Sequence, residues 1–190
     1  MNWILASGSP RRRELLEMLG VPNLTIRPAK GPERATPGAG PEQTVRELAL
    51  HKAQEVAQTC APEDIIIAAD TIVYLDGAIL GKPKDHDDAV RMLTALSGRE
   101  HIVYTGVAVL RGGEMRQAAE HTAVRFRTLT PAEIARYIAT GEPMDKAGAY
   151  GIQGRGALFV AHLDGDYFNV MGLPLCRLGQ LLNELGVELL

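Results

Sequence analysis

The sequence predicts an α/β fold built on a mixed sheet, and three observations predict it. Strand-like and helix-like segments interleave along nearly the whole chain. The run EDIIIAAD (63–70) is almost wholly apolar, as in a strand buried on both faces in the middle of a sheet. The stretch TIVYLDGAILG (71–81) alternates about Asp76-Gly77, a hairpin signal, so antiparallel pairing accompanies parallel pairing.

The elements follow in order. WILAS (3–7) reads as a first strand, and residues 12–20 as a helix that Gly20 closes. Ser9 stands as its N-cap, with Pro10 at the first helical position. LTIRPA (24–29) reads as a second strand, and the Gly- and Pro-rich residues 30–40 as a loop. Pro41 opens a helix of twenty residues, 41–60. After the buried strand and its hairpin, residues 85–98 form a helix with Ala89, Met92, Leu93 and Leu96 on one face. Residues 101–110 and 121–129 read as strands separated by a Gly-Gly turn region. TPAEIARYIATG (130–141) carries a cap at Thr130, Pro131 at the first position, a capping-box Glu133 and a stop at Gly141. Residues 142–157 read as a glycine-rich loop with few apolar anchors, 158–172 as strand, turn and strand, and 173–185 as a last helix. No repeat or linker interrupts 1–190, which reads as one domain.

Bulk composition excludes several classes. The hydrophobic fraction is 46% and the charged fraction 23%, ordinary for a globular chain. Net charge is −3 and the aromatic fraction 5%, which argues against a nucleic-acid surface or an anionic membrane as partner. Cys60 and Cys176 have no zinc-ligand spacing and read as reduced thiols. No 18-residue apolar stretch occurs. The expectation is a cytoplasmic protein without nucleic-acid or membrane partners.

Four places break local rules. Arg11, Arg12 and Arg13 crowd a helix start, where the dipole disfavours cations; an anion bound there or a solvated face would account for them. Lys52 falls in the middle of an apolar face made by Val45, Leu48, Ala49, Ala53 and Val56, where it must either snorkel or meet an anion. Asp70 ends the buried strand, at the end where open α/β sheets bind ligands; it is a metal ligand or general base, or else a turn residue. Lys82 lies in LGKPKD, either as a ligand contact or as an exposed lysine. Several local cations and one rigidly placed acid, in an acidic protein, suit a polyphosphate accompanied by a divalent ion.

The stretches LASGSPRRRELL, AADTIV, GKPKD, LSGREHIVYTGVAV, EPMDKAGAYGIQG and GDYFNVMGLPL resemble the Maf family of nucleoside triphosphate pyrophosphatases, in the same order along nearly the whole chain. The resemblance implies an elongated mixed sheet flanked by helices, like that of inosine-triphosphate pyrophosphatases, with a cleft across the sheet. It implies hydrolysis between the α and β phosphates with Mg²⁺ or Mn²⁺, and a homodimer. Asp70 matches the family's general base, Ser9 and Arg12 its SxSxxR phosphate-binding motif, and Lys52 and Lys82 its phosphate-contacting lysines. Glu33, in the loop where the resemblance is weakest, joins Asp70 as a candidate metal ligand. Arg11, Thr71 and Gln153 match the branch that cleaves dTTP and UTP, whereas the branch for 7-methyl-GTP carries an aromatic residue, Gln and Glu there. A Gln amide offers both donor and acceptor to a pyrimidine edge. Modified pyrimidine nucleotides such as 5-methyl-UTP fit the same pocket chemistry. A nucleotide sensor of cell division without turnover is the alternative, and it would need the cations but no positioned base. On this reading Arg12→Ala raises KM and lowers turnover with the fold intact.

Overall fold

The computed structural model describes residues 1–190. Its strands are β1 (Trp3–Leu5), β2 (Leu24–Ile26), β3 (Ile65–Leu75), β4 (Ala78–Leu80), β5 (Glu100–Arg111), β6 (Glu114–Phe126) and β7 (Val160–Asp164). Its helices are α1 (Pro10–Met18), α2 (Pro41–Ala57), α3 (His86–Leu96), α4 (Pro131–Ile138), α5 (Tyr167–Met171) and α6 (Leu175–Glu184). The seven strands form one sheet in the order β2-β1-β3-β5-β6-β7, with β4 paired to β3. The sheet is mixed as expected: β1 pairs in parallel with β2 and β3, while β4 and β7 are antiparallel to β3 and β6. No helix is long and apolar enough to cross a membrane.

Two compact units divide the chain. The first comprises residues 1–70, 105–120 and 172–190. Its core joins Ile4 of β1 and Ala6 just after it, Ala49, Ala53 and Val56 of α2, Ile66 and Ala68 of β3, and Ala108 of β5. The buried face of α2 contains all five apolar residues that periodicity assigns to it. That helix lies directly on β5 at Gly106, where a Cβ would stand 2.1 Å from the Val45 carbonyl oxygen. Glycine inside a strand here marks the close approach of a second backbone.

The second unit comprises residues 71–104 and 121–171. Its core gathers Val73, Leu93, Leu96, Val103, Phe126, Ile134, Tyr150 and Phe159. Rings pack edge to face about Phe126, which lies 5.0 Å from His101 and 4.7 Å from Tyr150. The α4 capping box forms as the sequence requires, Thr130 and Glu133 each accepting from the other's backbone amide.

Three expectations are corrected. The strand expected at 121–129 begins at Glu114 and ends at Phe126. The Gly112-Gly113 turn, with φ of 59° and 84°, folds the polar stretch 114–120 straight back beside β5, and pairing overrides its weak strand propensity. Residues 167–171, expected as a strand, form helix α5. There Asp166 accepts the Phe168 amide at 2.7 Å, and fully buried Asn169 donates to the Val103 carbonyl and the Thr122 hydroxyl, each at 3.0 Å. Those bonds fix a turn where the apolar residues alone suggest extension. Finally, residues 142–157 are well anchored. Pro143, Ala149, Tyr150 and Ile152 are buried, and short 3₁₀ turns run over Glu142–Asp145, Ala147–Ala149 and Gly154–Phe159.

Candidate active site

In the first unit, α1 starts one residue after Ser9, with Pro10 at its first position. Ser9 occupies the N-cap position with extended backbone, but its side chain makes no capping bond, which corrects the expected role of its hydroxyl. Ser7 serves instead as the polar hub of the turn: its Oγ accepts the Ser9 amide at 3.3 Å and the Arg12 guanidinium at 2.9 Å. Arg12 Nε donates to the Gly172 carbonyl at 2.7 Å. The fork is therefore held at both ends, beside first-turn amides that have no intrahelical acceptor. The motif's first serine was the available signal for Ser7, and Gly172 had none.

The three arginines have different situations. Arg13 is exposed and pairs with Glu17 at 2.7 Å, four residues on, as an ordinary helix-surface pair. Arg12 is half-buried, and desolvation pulls its guanidinium below the usual range. Asp70 opposes that shift, Arg11 reinforces it and Glu33 opposes it, so these charges share one locality.

Lys52 resolves its own puzzle. Its ammonium sits 2.5 Å from Asp70 Oδ1 and 2.7 Å from Glu33 Oε1, so the anion it meets on the apolar face is a pair of carboxylates. α2 supplies the lysine, the middle of β3 supplies Asp70, and the 30–40 loop supplies Glu33; Asp70 does not end its strand as expected, because pairing with β4 carries β3 on to Leu75. Asp70 is buried, while the Glu33 side chain is 61% exposed, so one carboxylate is rigidly placed and the other can be displaced. No group of three or more His, Cys, Asp or Glu side chains gathers as a metal cage. Two carboxylates do fit Mg²⁺, which is commonly held by one or two acids together with substrate phosphates.

Thr71, Lys82 and Gln153 belong to the second unit. Thr71 follows Asp70 directly in β3. Lys82 is exposed just after β4, and the preceding Gly81 carbonyl accepts the Gly148 amide at 3.0 Å. That bond ties the Lys82 segment to the stretch leading to Gln153, which is half-buried.

The family model described as "Maf-like protein" matches residues 2–185. The chain belongs to the Maf family. Among its Maf relatives, a Moorella thermoacetica protein named dTTP/UTP pyrophosphatase is 52% identical over 97% of this chain and 95% of its own length. Proteins of the same name from Symbiobacterium thermophilum and Chromobacterium violaceum are each 51% identical. They match 96% and 97% of this chain, and 93% and 95% of their own lengths. Among solved structures, the Staphylococcus aureus Ham1 protein is 13% identical, with 82% of this chain and 78% of that one covered and a TM-score of 0.46.

Proposed function

We propose that this Maf protein hydrolyses dTTP and UTP between the α and β phosphates, giving the nucleoside monophosphate and pyrophosphate. The observation that carries the reading is the Lys52 bridge between buried Asp70 and Glu33, beside the tethered Arg12. The names of its half-identical relatives support it.

Water attacks the α-phosphorus as the bond from that phosphorus to the bridging oxygen breaks. The proton of the attacking water passes to the Asp70 carboxylate, and pyrophosphate departs. Phosphoryl transfer is chiefly positioning and charge neutralisation, which the cations supply. Lys52 orients Asp70 as a base and then offers its ammonium to phosphate oxygens. Arg12 and Ser9, at the helix start, and Lys82 hold the β and γ phosphates. Mg²⁺ or Mn²⁺, held by Asp70 and Glu33 with phosphate oxygens, would supply charge neutralisation when bound. Arg11, Thr71 and Gln153 select the pyrimidine. A sensor would need the cations alone; a buried carboxylate fixed in place, as Asp70 is by Lys52, favours turnover. The substrate range includes C5-modified pyrimidines such as 5-methyl-UTP.

The test is pyrophosphate release from dTTP, UTP, CTP, 5-methyl-UTP and 7-methyl-GTP, with Mg²⁺ or Mn²⁺. Release from dTTP and UTP is expected, with 5-methyl-UTP accepted as well. Asp70→Asn should lower it at least about 100-fold while nucleotide still binds, the scale of general-base catalysis. An active Asp70→Asn enzyme would remove Asp70 from the mechanism. Preference for 7-methyl-GTP would assign the chain to the other branch.

A further inference from the structure

The stretch that carries Gln153 is fastened on both sides, and a single carboxylate makes most of the attachment. After α4 the chain turns at Gly141, with φ of 75°, and delivers Glu142. Glu142 Oε1 accepts the Tyr137 hydroxyl at 2.9 Å and the Gly156 amide at 3.1 Å, and Oε2 accepts the Arg155 amide at 3.0 Å. The Tyr137 hydroxyl in turn accepts the Gly151 amide at 3.2 Å. Residues 151, 155 and 156 therefore hang from one Glu142–Tyr137 pair, with Gln153 in the span between them. Side chains larger than glycine would push on the clamp at one position and collide with backbone at the other. A Cβ on Gly154 would stand 2.9 Å from Glu142 Oε2, and one on Gly156 would stand 2.7 Å from the Tyr137 oxygen and 2.3 Å from the Gly151 carbonyl oxygen. The backbone of Glu142 is tied as well, its carbonyl accepting Lys146 Nζ at 2.6 Å.

We propose that Glu142 is a positioning residue for nucleotide selection, its carboxylate and the Tyr137 hydroxyl together fixing the backbone on either side of Gln153. The inference rests on the reading of Gln153 as a selector of the pyrimidine. An amide can discriminate between bases only if its donor and acceptor are presented at a set position, since a hydrogen-bonding site gains its selectivity from unpaired groups in the wrong complex. The charged carboxylate suits this work, because bonds from amides to an ionised acceptor are stronger than neutral ones. Burial pulls the Glu142 carboxyl upward, but the Arg155 and Gly156 amides, the Tyr137 hydroxyl and the Lys146 charge outweigh it, leaving the group below its ordinary range.

The test is steady-state pyrophosphate release by the full chain from dTTP, UTP and CTP, for Glu142→Ala, Glu142→Gln, Tyr137→Phe and Gln153→Ala. Glu142→Ala should lower kcat/KM for dTTP on the order of tenfold or more, chiefly through KM, and bring the dTTP-to-CTP ratio toward unity. Glu142→Gln, which keeps one acceptor oxygen, should recover part of that ratio. Tyr137→Phe removes the link to Gly151 and the hydroxyl's bond to Glu142 but leaves the Glu142 bonds to Arg155 and Gly156, so it should shift the ratio the same way by less, a readout that survives if Glu142→Ala does not fold. If Gln153→Ala moves the ratio while Glu142→Ala and Tyr137→Phe lower all three substrates evenly, the positioning role is overturned and the selector stands. If Gln153→Ala itself leaves the ratio unchanged, the selector reading fails and the positioning role falls with it.

Discussion

Arg12 shows how one side chain serves two ends. Its guanidinium reaches the Gly172 carbonyl and the Ser7 hydroxyl, so the group that offers positive charge at the start of α1 also ties that start to the chain before α6. The expectation that Arg12→Ala leaves the fold untouched therefore needs amending. The substitution should raise KM about tenfold or more by removing a phosphate contact, and should also cost about 1–3 kcal/mol by stripping two acceptors of their donor. Nucleotide kinetics alongside urea unfolding would check both; a lowered affinity with an unmoved midpoint would remove the structural half of the role. Asp70 and Lys52 are a similar case. Each was conspicuous singly, a charge where an uncharged residue belongs, but their partnership with each other and with Glu33 appears only once α2 lies across the sheet.

At the scale of elements, the seating of α2 decides where Lys52 goes. That helix meets β5 backbone to backbone at Gly106, with no space for even a methyl group. Gly106→Ala should therefore destabilise the protein at or above the usual overpacking range of about 1–3 kcal/mol, and push Lys52 away from Asp70. Thermal unfolding combined with turnover at low temperature would measure the two effects. A Gly106→Ala protein with native melting and activity would show that α2 is free to shift without consequence. The short helix α5 is the opposite kind of element, because little in its apolar residues announces it. It exists because buried Asn169 satisfies Val103 and Thr122, partners more than forty residues away in sequence.

Acid sensitivity is a property of the whole molecule. His101 is buried against Phe126, with Nε2 2.7 Å from the Tyr150 hydroxyl, and burial pushes its pKa from 6.5 down to about 4. The unfolded chain takes up this proton near pH 6.5 and the folded chain does not until about 4, so stability should fall as pH drops between those values. Glu133 is held down from 4.5 to about 2, first by Arg127, then by the Thr130 amide and hydroxyl. Its contribution is present above pH 4.5 and is lost as pH falls towards 2. Urea midpoints measured against pH should thus decline in two successive windows. His101→Phe should flatten the upper one and Glu133→Gln the lower, and a variant that leaves its window's slope unchanged would refute the assignment.

The sequence by itself determined the mixed α/β class, the buried β3 run, the apolar face of α2 and the α4 capping box, because periodicity, caps and turn residues act over a few neighbours. It also marked Arg12, Lys52 and Asp70, because each stands where local rules reject a charge. It could not distinguish a solvated arginine from a tethered one, and only the fold separates Arg13, paired with Glu17, from Arg12, tied to Gly172. Nor could it show that the glycine-rich stretch after α4 is clamped rather than loose. The Glu142 and Tyr137 bonds that hold it act between backbone amides and side chains brought together by a turn, and amides carry no sequence signature. Tertiary structure decided those contacts because hydrogen-bond partners are chosen by distance in space, and spacing along the chain constrains that distance only within one element.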